Sequence, residues 1–347
     1  MLLKMKKVAI KEETVAEKTV VKKSNVVKRI IILSSIFIIV LVSIIGGIAI
    51  YKYNYQAQFV RINEYNFPDR IFREEVKSFD INNDDKLSKD ERKRVTQIDV
   101  SDTSVKSLDG IGYFGELKLL DCKDSLLEDL DLSSNNNLER LNCKNCNLRQ
   151  LDLSANTKLY YINCSENMIE ELILPTGNSV SSLNCSYNYI EKIVVGKYTE
   201  LTQLDCSNNE LKKLDVSKNI KLKQLECNEN YLTSLDVDNC TQLEILLCHS
   251  NKIDSLSVLR CENLKTLMCS ENELTYLNVS YNSKLEDLIC EGNNISRLDI
   301  STCPLLKTAV TSETSSKHTS QSYKSYSILK YPGAVTLRFD ITTELIY

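Results

Sequence analysis

The sequence predicts a solenoid of stacked, short parallel β-strands on a concave face, with an extended or turn-rich convex side and a small helical cap at its start. Two observations lead there. From Leu117 the chain repeats every 21 residues without a gap, with units opening at Leu117, Leu138, Leu159, Val180, Leu201, Leu222, Leu243, Leu264 and Leu285. Each unit keeps the pattern LxxLxCxxNxLxxLDVSxxxx, and Leu201 to Lys221 is a clean copy. So short a unit cannot bury its own apolar face, so the nine copies over 117–305 must share one continuous core.

Period and pattern together are those of leucine-rich repeats. Alternation along the LxC segment sends positions four and six inward and positions three and five outward. Position four is Leu120, Leu141, Ile162, Leu183, Leu204, Leu225, Leu246, Leu267 and Leu288, and position six is cysteine in every unit, from Cys122 to Cys290. These nine of the chain's thirteen cysteines would ordinarily suggest disulfides in an exported protein. Neighbouring parallel strands instead aim their thiols in the same direction, so the sulfurs are expected to act as small buried hydrophobes. Zinc is the alternative, and a stack of identical thiols lacks the tetrahedral convergence it needs.

Position nine is asparagine from Asn167 to Asn293, preceded by Ser125 and Cys146. A buried amide there can bond the backbone groups that the turn leaves unpaired. Cys240, Cys261 and Cys303 fall in a second column, where other units carry Asn135, Asn156, Asn219 and Asn282, and are expected to donate weakly in their place. The LDVS segment has apolar residues two apart, such as Leu214 and Val216, which predicts an extended convex return.

A solenoid end must be covered, and residues 66–116 read as that cover. Phe72, Val76 and Phe79 recur at helical spacing after Pro68 and Asp69, which favour a first turn. Residues 80–91 then match the twelve-residue calcium loop of an EF-hand: Asp80, Asn82 and Asp84 at positions one, three and five, the Lys86 carbonyl at seven, Ser88 at nine and Glu91 at twelve. Position six is Asp85 where glycine is usual, which predicts weak rather than tight Ca2+ binding. A purely structural reading makes Ser88 and Glu91 a capping box for the next helix. Residues 95–116 follow as an irregular first repeat, and residues 306–347 as a C-terminal cap, in which Val335–Tyr347 alternates as a strand would.

The formal charge of −4 hides an asymmetry, since residues 1–29 carry nine basic and three acidic side chains and leave −10 for the rest. Ile30 to Ile50 is uncharged and long enough to span a bilayer, so residues 30–51 are predicted to be a transmembrane helix. The basic flank places 1–29 in the cytoplasm and the repeats outside, joined by a juxtamembrane linker, 52–65. The alternative is a cleavable signal peptide, against which stands the length of the apolar run. An acidic bulk without a basic stripe excludes nucleic acid as a partner.

With the cysteine ladder and the calcium-loop motif in hand, the chain resembles the bacterial cell-surface leucine-rich-repeat proteins of the internalin J-like, cysteine-ladder group. The resemblance covers residues 117 to about 305 and implies a curved scaffold on a Gram-positive surface that binds a host or neighbouring-cell ligand. The chain shows no LPxTG sorting motif near residue 347, and its cap differs from the usual internalin cap.

Recognition by such a scaffold is expected on the concave face. Leu247, Met268 and Ile289 in column five, with Ile245 from column three, make an apolar stripe that favours a protein ligand. Tyr161, Tyr187 and Tyr189, with Met168 beside them, form a second candidate, which favours a glycan. The C-terminal cap folding back over the stripe is the alternative to a free surface. An envelope-organising scaffold is a third functional reading. Catalysis is not expected, because the cysteines are buried equivalents and His249 and His318, the chain's two histidines, have no triad setting.

Overall fold

The computed structural model describes residues 58–330 and 333–347. The expected cytoplasmic tail, the membrane span and residues 52–57 of the linker lie outside the described residues. Among the described residues no helix is long and apolar enough to cross a membrane.

From Arg61 onward the chain forms one unit. Each repeat contributes one three-residue strand at positions three to five, and Gln203–Asp205 is typical, pairing in parallel with Ser182–Asn184 and Gln224–Glu226. Register is strict: Leu204 stands opposite Leu183 and Leu225, so inward columns stack on themselves. Residues 97–99 of the irregular first repeat join the same sheet, which reaches thirteen strands. Leu204, Leu225 and Leu246 and the position-six cysteines are essentially buried. Full burial of one such leucine stabilises by roughly 2 kcal/mol, and the column repeats that gain in every unit.

The strands stay short because the chain turns sharply at position eight. Asp124, Asn145, Glu166, Tyr187, Asn208, Glu229, Ser250 and Glu271 all have φ near +50°, as does Gly292 at +70°. Position-nine asparagines secure that turn. Asn209 Nδ2 donates to the carbonyls of Cys185, Cys206 and Ser207 at 3.0, 3.2 and 3.0 Å, while its Oδ1 accepts from Ile190 N at 3.0 Å.

The second asparagine column works differently. Asn219 Nδ2 donates to Val195 and Tyr198 carbonyls, but its buried Oδ1, like those of Asn135, Asn156 and Asn282, finds no partner. A thiol gives the same carbonyls a weaker donor and leaves no orphaned acceptor, which explains why Cys240, Cys261 and Cys303 are tolerated here. Two units depart from the column. Gly177 packs where an added Cβ would meet Thr157 O at 2.3 Å, and Tyr198 buries its whole ring and donates to Pro175 O at 2.8 Å.

On the convex side the extended return forms short parallel pairs, such as Gln150–Asp152 with Glu171–Ile173 and Leu235–Asp236 with Leu256–Ser257.

The N-terminal cap is helical over Arg70–Lys77, with Phe72 and Val76 buried. Asp69 caps this helix from outside rather than lying in its first turn, accepting from Ile71 N and Phe72 N, and it also accepts from Lys106 N of the irregular repeat. Phe67, Phe72, Phe79 and Phe114 meet edge-on or tilted, with centroids 5.6–6.3 Å apart, and seal the end of the core. Ile62, assigned to the linker by sequence, is buried and donates to Asp85 O at 3.0 Å, so it already belongs to the cap.

The C-terminal region is a returning repeat. After the Pro304–Thr311 helix, strands Ser316–Thr319 and Tyr323–Lys330 run antiparallel, and Gly333–Asp340 then joins Asp287–Ile289 in parallel. Leu337 occupies the position-four column beside Leu288, and Glu344–Ile346 pairs with Arg297–Asp299 on the convex side. Asp340 Oδ1 and Oδ2 accept from Gly292 N and Asn293 N, replacing carbonyls that a further repeat would have supplied.

Candidate functional site

The structure brings Leu247, Met268 and Ile289 into register on adjacent strands, with Ile245 one position away on the first of them. Adjacent strands stand ~4.8 Å apart, so the side chains cover one another's flanks and end half-buried rather than exposed, as the sequence had suggested. The C-terminal cap does not fold over them: Gly333–Asp340 pairs edge to edge with Asp287–Ile289 and lengthens the sheet. It places Arg338 opposite Ile289, while Glu226 stands opposite Leu247 at the other end of the stripe. Arg338 is held by Glu291 at 2.9 Å and lies over the Tyr323 ring at 5.0 Å. The stripe therefore runs from a carboxylate to a guanidinium, a polarity that sequence alone could not reveal because Arg338 lies outside the repeat.

The tyrosine candidate separates into two places. Tyr161 sits on its concave strand, half-buried, with the Arg140 guanidinium 4.6 Å above its ring. Tyr187 and Tyr189 lie in the turn that leaves the Ser182–Asn184 strand, 57% and 53% exposed, and share a concavity of about 550 Å³ with Tyr231, Glu166, Glu210 and Glu229. Tyr231, Glu210 and Glu229 were missed by the sequence reading. Reading position ten down the repeats, where Tyr189, Glu210 and Tyr231 recur 21 residues apart, would have found the first two. Tyr187 holds φ +53°, a conformation costing a bulky L-residue about 1–2 kcal/mol, and the other units put Asp, Asn, Glu, Ser or Gly there.

His249 Nδ1 lies 3.3 Å from Ser250 Oγ, and that hydroxyl donates to Glu271 Oε2 at 2.8 Å. The carboxylate thus holds the hydroxyl rather than the imidazole, the reverse of what orients a base beside a nucleophile. The thirteen thiols are free and buried. Burial pushes Cys206, Cys227 and their neighbours upward, whereas hydrogen bonds from Cys122 and Ser125 pull Cys146 down to about 7.

Residues 80–91 form a loop closed by its own hydrogen bonds. Asp80 Oδ2 accepts from Asp85 N at 2.8 Å, Asn82 Oδ1 from Asp84 N at 3.1 Å, and Asp84 Oδ1 from Lys86 N at 3.1 Å. Asp85 is left-handed at φ +58°, the conformation expected of position six. Glu91 is buried and completes a capping box on the Lys89–Arg94 helix. Its Oε2 accepts from Ser88 N and Oγ, and its Oε1 from Ile81 N at 3.0 Å. Burial opposes its charge, but these hydrogen bonds hold it below the usual carboxylate range. Among the described residues no three His, Cys, Asp or Glu groups converge as metal ligands. In this arrangement the residues fit a self-capped turn, and Glu91 would have to leave Ser88 before it could reach a cation.

No family model matches the chain, and no curated protein does. Solved structures do. The functional domain of internalin J from Listeria monocytogenes, which includes a cysteine ladder, aligns over 72% of this chain and 55% of its own length, at 33% identity and a TM-score of 0.68. This chain thus spans little more than half of that domain. Internalin F from the same organism aligns over 70% of this chain and 81% of its own, at 22% identity and a TM-score of 0.56. A leucine-rich-repeat protein of Leptospira interrogans aligns over 60% of this chain and 57% of its own, at 22% identity and a TM-score of 0.55. The last two bear on the fold alone.

Proposed function

Because the chain is a leucine-rich-repeat protein of the 21-residue, cysteine-ladder type, similar to internalin J, we propose that it is a membrane-anchored cell-surface module that binds a protein partner on its concave face. The observation that carries this is the in-register stripe of Leu247, Met268 and Ile289, left uncovered by the cap and bounded by Glu226 and Arg338. Packing a partner against half-buried apolar side chains needs little ordering of this face, since a rigid sheet already holds them. The role is binding rather than catalysis, in keeping with the buried thiols and the misplaced carboxylate at His249 and Ser250. The anchor is the apolar segment 30–51, with the repeats outside a Gram-positive cell.

The loop at 80–91 takes Ca2+ weakly in this reading, through Asp80, Asn82, Asp84, the Lys86 carbonyl, Ser88 and Glu91, at the cost of the capping box. Titration calorimetry should give millimolar affinity, and no heat at all would remove calcium from the account. For the main proposal, the full chain is used to pull down surface proteins and purified wall glycan, beside a Leu247→Glu/Met268→Glu variant. A protein partner lost in the variant supports the concave site. Glycan retained equally by both proteins, with no protein partner, would instead favour the carbohydrate-binding alternative.

A further inference from the structure

The concavity beside Tyr187 is chemically unlike the stripe. It combines three exposed rings, Tyr187, Tyr189 and Tyr231, with the carboxylates of Glu210 and Glu229. Neither of these carboxylates forms an ion pair or side-chain hydrogen bond with another described residue, whereas Glu166 at the margin is paired with Lys144 at 3.0 Å. The chain already shows what settles on its tyrosines. Lys252 places its ammonium 5.4 Å above the Tyr231 ring, and the Arg140 guanidinium lies over Tyr161, so tyrosine rings of the repeats do take a cation on their faces. No described cation lies over Tyr187 or Tyr189.

Tyr187 supplies a separate argument. It stands in a left-handed turn where eight other repeats carry small, polar or acidic residues, and it remains more than half exposed, so burial does not compensate for the conformation. A conformational cost without a packing gain is a common mark of a functional position. The −10 charge borne beyond residue 29 would also favour the approach of a cationic partner.

We propose that Tyr187, Tyr189 and Tyr231, with Glu210 and Glu229, form a second binding site that takes arginine side chains of a basic polypeptide segment. The Tyr187 and Tyr189 rings, over which no described cation lies, stack on the guanidinium plane, Tyr231 with Lys252 over it walls the site, and the two carboxylates accept the guanidinium N–H donors. A concavity of about 550 Å³ is in the range that seats a small ligand, so it holds a short stretch of peptide rather than a folded surface. The site goes beyond the concave-face reading and does not depend on it.

The test uses the full chain and a fluorescent octa-arginine peptide, with octa-citrulline as its neutral isostere, followed by anisotropy. Octa-arginine should bind and octa-citrulline should not. Tyr187→Asn should weaken binding about tenfold, the scale of a partly desolvated cation–π contact. The same variant should melt no lower than the wild type, which separates lost contact from lost fold. Glu229→Gln should weaken binding more than Glu262→Gln, a charge-matched change on an exposed residue elsewhere, and Met268→Ala should leave it unaltered. Equal binding of the citrulline peptide, equal effects of Glu229→Gln and Glu262→Gln, or full affinity in Tyr187→Asn would each overturn the proposal. Loss of a protein partner in the concave double variant, with octa-arginine binding intact, would show the two sites to be separate.

Discussion

Truncating Asn209 should cost several times more than truncating Asn219, although both are buried asparagines of the same solenoid. Asn209 donates to three carbonyls and accepts from Ile190 N, so Asn209→Ala removes all four contacts and orphans a buried backbone donor. A net hydrogen bond contributes about 1 kcal/mol, and an orphaned buried group costs about 1–3 kcal/mol. Because two amide hydrogens serve the three carbonyls, the sum is roughly 3–5 kcal/mol. Asn219 donates to Val195 and Tyr198 carbonyls, but its own Oδ1 is already orphaned. Removing that acceptor offsets part of the loss, which leaves about 1 kcal/mol for Asn219→Ala and near zero for Asn219→Cys. Urea unfolding of the three variants measures the differences directly. Equal losses for Asn209→Ala and Asn219→Ala would refute the division of labour between the two columns.

Three further outcomes are expected. Asp85→Gly should stabilise the cap by about 1 kcal/mol, seen as a higher melting temperature without calcium, because glycine accepts φ +58° without strain. Asp340→Ala should cost about 2 kcal/mol by removing the hydrogen bonds from Gly292 N and Asn293 N, at about 1 kcal/mol each, and should speed proteolysis of residues 312–330. Cys146 should be alkylated first of the thirteen thiols. Its folded value lies near 7, below that of a free thiol, so labelling by iodoacetamide should rise about tenfold per pH unit up to pH 7 and then level off. With the folded value depressed, this group stabilises the fold at high pH and loses that contribution as pH falls through about 7. Peptide mapping that finds Cys206 labelled as fast as Cys146 would contradict the assignment.

Much of this was legible because a 21-residue repeat states its own geometry. Alternation around Leu204 and Cys206 was enough to say which side chains enter the core, and the position-nine asparagines announced the turn they hold. The Ser88–Glu91 capping box was likewise visible as one of two readings of residues 80–91, and position six of that segment, Asp85, is left-handed. What the repeat could not convey came from residues outside its consensus. Pattern reading treated Tyr161, Tyr187 and Tyr189 as one cluster, but the first belongs to a strand and the others to a turn, where the third dimension adds Tyr231 and Glu229 instead.

The sequence by itself determined the solenoid, its register and the inward thiol column, because those follow from local alternation repeated at a fixed interval. Tertiary structure decided how the solenoid ends and what its surface offers. Gly333–Asp340 comes back across more than forty residues to act as a final repeat, and Arg338 thereby becomes the neighbour of Ile289. Spacing left Glu91 two roles, calcium ligand or partner of Ser88, and gave no sign that its other oxygen would take Ile81 N. Such contacts between distant or competing groups are settled by which burial and hydrogen bonds can be satisfied together, and that is a property of the folded whole.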